Sequence, residues 1–143
     1  MNQHNVELIQ LMEDAWLDQD IPRLQSLFTD DCVYEDMALG ARNLGLAGIA
    51  KFAHEVYGTM PDFQVRFVKK CAVDHLGASE WVIEGTWNGP FEGRDCTGRK
   101  VRFTGLSLYE FRDGKISLVQ DCWDYTVLIK QFGVLPEALR QLE

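Results

Sequence analysis

Paired cysteines, clustered histidines and long apolar runs are all missing from this sequence of 143 residues. Its cysteines, Cys32, Cys71, Cys96 and Cys122, form no C-x-x-C pair, which removes the local signature of a zinc site or a redox dithiol. They read as free thiols, with Cys32, Cys71 and Cys122 buried and Cys96 more exposed in a loop. His4, His54 and His75 show neither H-x-H nor H-x-x-x-H spacing, so no metal and no cofactor is expected. No run approaches a membrane span, and no apolar core of signal-peptide type follows Met1, which points to the cytosol. Positive charge is scarce as well. The 14 Lys and Arg residues face 22 Asp and Glu, and the resulting charge of −8 is spread along the chain. Such a surface repels phosphate backbones and anionic lipid, so neither nucleic acid nor membrane is an expected partner.

What is present is apolar and aromatic. Hydrophobic residues make up 46% and aromatic residues 11% of a chain of ordinary domain length, enough to close a core or wrap a pocket without disulfides or metals. A single domain over residues 1–143 is expected. From Asn5 to Asp18, Val6, Ile9, Met12, Ala15 and Trp16 recur at the spacing of one helical face. Asp20 and Pro22 then restart a short helix that runs to about Phe28. "TDDCVYED" reads as a turn and short strand with Cys32, Tyr34 and Asp36 on one side. A loop with Gly40, Gly45 and Gly48 leads to a third helix carried by Ile49, Phe52, Ala53, Val56 and Tyr57. Beyond it the period becomes alternating. "DFQVRFVKKCAVD", "EWVIEGTW", "KVRFTGLSLYEF" and "KISLVQDCWDYTVL" are four strands with connections too short for parallel crossovers, hence an antiparallel meander. Helices followed by a strongly curved, mainly antiparallel sheet make an α+β fold in which three helices cover one face and leave a mouth.

Carboxylates stand where apolar side chains are expected. In the last strand Ser117, Val119, Asp121, Trp123 and Tyr125 share one face. Asp121 is thus flanked by Val119 and Trp123, where burial raises a carboxyl pKa and suits it to exchange a proton near neutral pH. A buried Asp that holds a turn or an Arg fits the same pattern. Asp124 faces the other way and reads as a cap for the final helical segment. Glu84, with Val82 and Thr86 on its face, is either a second buried carboxylate or an exposed edge residue. Asp36 closes the first strand, within reach of a pocket formed by the later sheet. Tyr34, Trp87, Tyr109 and Trp123 are placed near a cavity as substrate contacts, together with Trp16 from the buried stripe of the first helix.

The segment "EGTWNGPFEGRDCTGRKVRFTGLSLYEFRDGKISLVQDCWDYTVLIKQFG" resembles the SnoaL-like polyketide cyclase and ester cyclase family. The match runs through Gly85-Thr86, Gly89, Phe91, Gly93, Thr97-Gly98-Arg99, Asp113-Gly114-Lys115-Ile116, Asp121, Asp124 and Gln131-Phe132-Gly133. "LFTDDCVYED", "GLAGIAKF" and "MPDF" extend it over nearly the whole chain. The resemblance implies the cone-shaped fold of the nuclear-transport-factor-2-like superfamily, with a central pocket and a homodimer packed through the sheet. It also implies that Asp121 stands where polyketide cyclases of this family keep the general acid/base of an intramolecular aldol closure, acting on a small hydrophobic or polycyclic substrate without a cofactor.

Other chemistries share the fold. Epoxide hydrolases of this type match Asp121 but add an Arg-x-Asp pair on a neighbouring strand, where this sequence has Glu80 and Glu84 and no Arg. Hydrolysis or dehydration would then rest on Glu84 and Asp121 sharing a water. Ketosteroid isomerases keep their base where Asp36 stands, but their two oxyanion donors align with Met12 and Ser107. Trp87 stands in place of the usual His of the cyclase pattern, and Met37 in place of a Pro. A ligand-binding or dimerisation module without catalysis is the third reading, and it calls for Asp121 tied to a structural partner and a small or filled cavity.

Overall fold

The Asn2 side chain accepts a hydrogen bond from the Asn5 backbone N–H (3.2 Å) and opens helix α1 (Gln3–Leu17), which buries Leu8, Ile9, Met12, Ala15 and Trp16 as the spacing predicts. The computed structural model describes residues 2–142. Asp20 accepts from Arg23 N–H (3.1 Å), and Pro22 occupies the first turn of α2 (Ile21–Ser26), which stops short of Phe28 because that residue already begins strand β1 (Phe28–Asp36). The glycine-containing loop carries an unforeseen strand, β2 (Ala41–Leu44), which folds back antiparallel on β1. Gly45, at φ +65°, turns the chain from β2 into α3 (Gly45–Thr59).

The alternating segments form β3 (Gln64–Val73), β4 (Leu76–Thr86), β7 (Lys100–Arg112) and β8 (Lys115–Trp123), with a small hairpin of β5 (Pro90–Phe91) and β6 (Arg94–Asp95) between β4 and β7. Helix α4 (Thr126–Phe132) and a 3-10 turn (Glu137–Leu142) follow. The sheet order is β2-β1-β8-β7-β4-β3. Its β3-β4-β7-β8 portion is the expected antiparallel meander, whereas β1 pairs parallel with β8, so that Tyr34 lies beside Val119 and Asp36 beside Asp121. That pairing joins residues almost ninety positions apart, and no local pattern reveals it. Helix α1 lies against β3 and shields this edge strand, with Glu13 accepting from Phe67 N–H (3.1 Å) at the bulge and Ala72 C=O accepting from Asn2 N–H (2.7 Å).

Bulges bend the sheet and change which side chains point inward. In β8 the register skips Ser117, so Ile116 takes the inner position and Ser117 does not share the face of Val119 and Asp121 as its spacing suggested. The thiols are likewise redistributed. Cys71 and Cys122 are exposed on the outer face, because Cys122 alternates against inward Asp121, while Cys96 is buried where the chain returns from the β5-β6 hairpin. Cys32 is buried as expected. Among the described residues no helix is long and apolar enough to cross a membrane.

One glycine fixes the inner surface. Gly105 on β7 pairs with Trp81 on β4, and the Trp81 ring lies where a Cβ would stand, with Cys122 C=O 2.8 Å from the same point. Gly105→Ala must displace either an indole or backbone. It is expected to lower stability by about 2 kcal/mol, read as a decrease in urea midpoint with an unchanged m-value.

Candidate active site

Between the helices and the inner face of the sheet lies a cavity of about 400 Å³. Its walls are rich in aromatic rings: Trp16 from α1, Phe52 from α3, Trp81 from β4, Phe103 from β7 and Trp123 from β8 all face it. The inner alternation of β8 sets Asp121 into this apolar surround, between β1 and β7. Asp121 is 9% exposed and does not float free. Ser107 Oγ donates to its Oδ1 (2.5 Å) and Tyr34 OH to its Oδ2 (3.0 Å). Ser107 in turn accepts from the Trp81 indole N–H (2.8 Å).

Loss of water around the carboxylate is the dominant influence on Asp121, the nearby negative charge of Asp36 adds to it, and the two hydroxyl donors only partly oppose it. Its pKa is pushed up to about 7. Burial also raises Asp36, but here Leu39 N–H (3.0 Å) and both contacts from Trp123 Nε1 (3.1 Å each) support the charged form. Tyr34, buried beside Asp121, is held well above its ordinary phenol value, so its hydroxyl remains a donor. The two neighbouring carboxyls thus lie in unequal surroundings.

Trp87, just after β4, and Phe91 and Glu92 of the β5-β6 hairpin also line the cavity, where the Tyr125 hydroxyl donates to Glu92 Oε1 (2.7 Å). Among the described residues, the lining contains Asp36, Glu55, Glu92 and Asp121 but no Lys, Arg or His. Among the described residues no group of three or more His, Cys, Asp and Glu side chains converges, and no residue is assigned to a metal or cofactor.

Of the residues singled out by sequence, Asp121, Asp36, Tyr34, Trp16, Trp87 and Trp123 come together around this cavity. Tyr109 does not line it. It is fully buried and shares a 2.5 Å hydrogen bond with Ser79. Glu84 lies on the outer face, ion-paired with Arg102 (3.0 Å) with both side chains 60% exposed, because inward Trp81 and Ile83 force it outward. The carboxylate beside Asp121 is therefore Asp36, and no Glu84–Asp121 pair exists. Asp124 lies one residue before the N-cap of α4, Tyr125, and accepts from Thr126 N–H (2.9 Å) and Oγ1 (2.6 Å) at the start of that helix. Sequence reasoning missed the roles of Ser107 and Trp81. The available signal was a small polar residue on the inward stripe Phe103, Gly105, Ser107, Tyr109, Phe111, where a lone hydroxyl must find a buried partner.

The sequence profile of the SnoaL-like polyketide cyclases matches residues 6–132. The chain belongs to this family. The architecture agrees across solved SnoaL-like and related structures, although identities below a quarter establish the fold alone. A provisionally assigned polyketide cyclase from Xanthomonas campestris pv. campestris superposes with a TM-score of 0.82 at 23% identity, covering 91% of this chain and 97% of that one. IdmH from Streptomyces antibioticus, described in the same provisional terms, gives 0.78 at 23% identity over 93% and 100% of the two chains. An epoxide hydrolase from M. tuberculosis, described as LEH-like, gives 0.72 at 19% identity over 90% and 89%. No curated protein matches the sequence. This SnoaL-like chain thus combines the nuclear-transport-factor-2 and ketosteroid isomerase type of fold with a carboxyl-bearing aromatic cavity.

The buried acid has a consequence for stability. The folded pKa of Asp121 lies above its ordinary value of 3.8, so the folded chain keeps this proton after the unfolded chain has released it. The stability gained from the neutral acid is complete below pH 3.8 and is lost as pH rises to about 7. Asp121→Asn is expected to gain on the wild type across that window and to be more stable by about 1–3 kcal/mol above it. Urea unfolding of both proteins through the window provides the check, and a pH-independent difference would contradict the assignment.

Proposed function

We propose that this protein is a cofactor-independent acid/base enzyme acting on a small, largely apolar organic substrate, with Asp121 taking and returning a proton in an aldol-type ring closure or related carbon-acid reaction. The observation that carries this reading is a carboxyl with a pKa near 7 in an aromatic cavity with room for a ligand. In the closure, a C–H bond next to carbonyl groups breaks, its proton passes to Asp121, and the electron pair moves into the conjugated carbonyl system. The enolate carbon attacks a second carbonyl of the same molecule, and the new alkoxide recovers the proton from Asp121. Charge spread over the substrate and the neighbouring Tyr34 hydroxyl reduce the demand for a dedicated oxyanion hole.

Alternatives lose their supports. A hydrolytic or dehydratase mechanism built on Glu84 and Asp121 lacks Glu84, which faces solvent on the far side of the sheet. A binding-only module calls for Asp121 tied to structural partners, as Ser107 and Tyr34 tie it, but also for a small or filled cavity, against which the open cavity of about 400 Å³ speaks. With an exchange assay on polycyclic aromatic β-keto esters in deuterated water, wild-type protein is expected to speed label uptake at the carbon between the carbonyls. Asp121→Asn should slow it by about 10²–10⁴-fold. Solvent oxygen in the product, instead of carbon-bound deuterium, would favour hydrolysis.

The absence of any cation in the lining supports neutral ligands over anionic ones. Placing a carboxylate beside Asp36 and Asp121 adds like-charge repulsion in a poorly hydrated site. Esters are expected to bind at least about 10-fold more tightly than the corresponding free acids at pH 8, as read by fluorescence quenching of the cavity tryptophans.

We also infer a homodimer through the outer face of the sheet, where Leu106 and Leu108 are 59% and 46% exposed and continue across the sheet to Ala78 and Gln120. Two exposed leucines side by side on the outer face, beside Ala78 and Cys122, supply apolar area for such a contact. Leu106→Lys is expected to give monomer by light scattering on a sizing column with its fold intact. An unchanged mass would remove this face from the interface.

A further inference from the structure

Asp121 is held by two hydroxyls, yet the two are not equivalent. Tyr34 OH can rotate between donating and accepting, whereas Ser107 has no such freedom. Its oxygen accepts from Trp81 Nε1 (2.8 Å), and an indole N–H only donates, so the single Ser107 proton must leave in another direction, where Asp121 Oδ1 waits at 2.5 Å. Trp81 is itself fixed. Its ring fills the space over Gly105 and meets the Phe103 ring edge-on, with centroids 6.0 Å apart and planes at 82°.

We propose that Trp81, acting through Ser107, keeps Oδ1 of Asp121 a permanent acceptor and so reserves Oδ2 as the oxygen that takes and returns the transferable proton. Trp81 and Ser107 are then positioning residues. The chemistry rests on the acid/base reading of Asp121, but the proton arrangement does not. When a substrate C–H bond breaks, the new O–H bond forms at Oδ2, the electron pair stays with the substrate carbonyl system, and the bond from Ser107 to Oδ1 persists throughout. Tyr34, which donates to Oδ2 in the ionised state, turns its proton away as Oδ2 becomes protonated.

The other groups around Asp121 are few. They are Tyr34 and Asp36 on β1 and Tyr109 on β7, the last bonded to Ser79 of β4, within reach of Ser107 as well, and influenced by Glu13 of α1. None of them changes when only the indole N–H is removed. Trp81→Phe deletes that N–H, together with the outer-ring atoms Cη2 and Cζ2 that lie over Gly105. Ser107→Ala deletes the relay itself.

Two measurements test the arrangement on substrate-free protein. Neutron diffraction from deuterated crystals at about pH 6 is expected to show the Ser107 deuteron aimed at Oδ1 and the carboxyl deuteron on Oδ2. A carboxyl deuteron on Oδ1, or a Ser107 deuteron aimed elsewhere, overturns the proposal. In solution, the Asp121 carboxyl titration followed by carbon-13 NMR should move upward in both variants, with the ionised fraction at pH 7 falling about 3- to 10-fold in Trp81→Phe. The double variant should titrate like Ser107→Ala alone, since Trp81 acts only through that hydroxyl. Additive shifts, or no shift in Trp81→Phe, overturn it. Intact exchange activity in Asp121→Asn, beside the expected titrations, would remove the enzymatic reading and leave the proton arrangement standing.

Discussion

Placing a carboxyl group where water is scarce governs the inner architecture of this protein. An unassisted buried carboxylate is far too unfavourable to persist ionised, so its neighbours must supply donors without restoring bulk solvent. Here three strands share that task. Strand β8 brings Asp121 inward, β7 brings Ser107 and β1 brings Tyr34, while Trp81 from β4 orders the serine. The parallel pairing of β1 with β8 is what allows it, because it sets Tyr34 and Asp36 on the same inner surface as Asp121.

The same pairing separates the two inner acids. Asp36 receives a backbone N–H and the Trp123 indole, whereas Asp121 receives only hydroxyls and lies in the field of Asp36. Burial raises both carboxyls, with the Leu39 N–H and the Trp123 indole opposing the rise at Asp36. Trp123 therefore serves both as cavity wall and as anchor for Asp36, so packing and electrostatics are not separable at this strand. Farther out, Tyr125 donates to Glu92 of the β5-β6 hairpin at the cavity wall.

Periodicity made much of this legible. The helical stripe ending at Trp16, the four long strands and the inward direction of Asp121 all follow from spacing, because alternation and burial are local properties. Resemblance added the family and the cone. Glu84 shows where alternation needs an anchor: its face reads as partly apolar, but the position of Trp81 decides which face is inside. Ser117 fails for a different reason, since a bulge shifts the register without leaving a local signature. Cys96 and Cys122 exchanged their expected environments because a loop can be buried and a strand residue can point outward. Ser107 and the β1–β8 pairing depend on partners distant in sequence, which single-chain patterns do not encode.

Asp121 is held so that its charge changes near neutral pH while it is buried in an aromatic cavity. Infrared difference spectra of wild-type protein against Asp121→Asn, swept in pH, observe that carboxyl directly. A protonated C=O band that is present at about pH 6 and fades through about pH 7 is the predicted result. A spectrum of carboxylate alone at about pH 5 would contradict the account, because the residue would then have no proton to return.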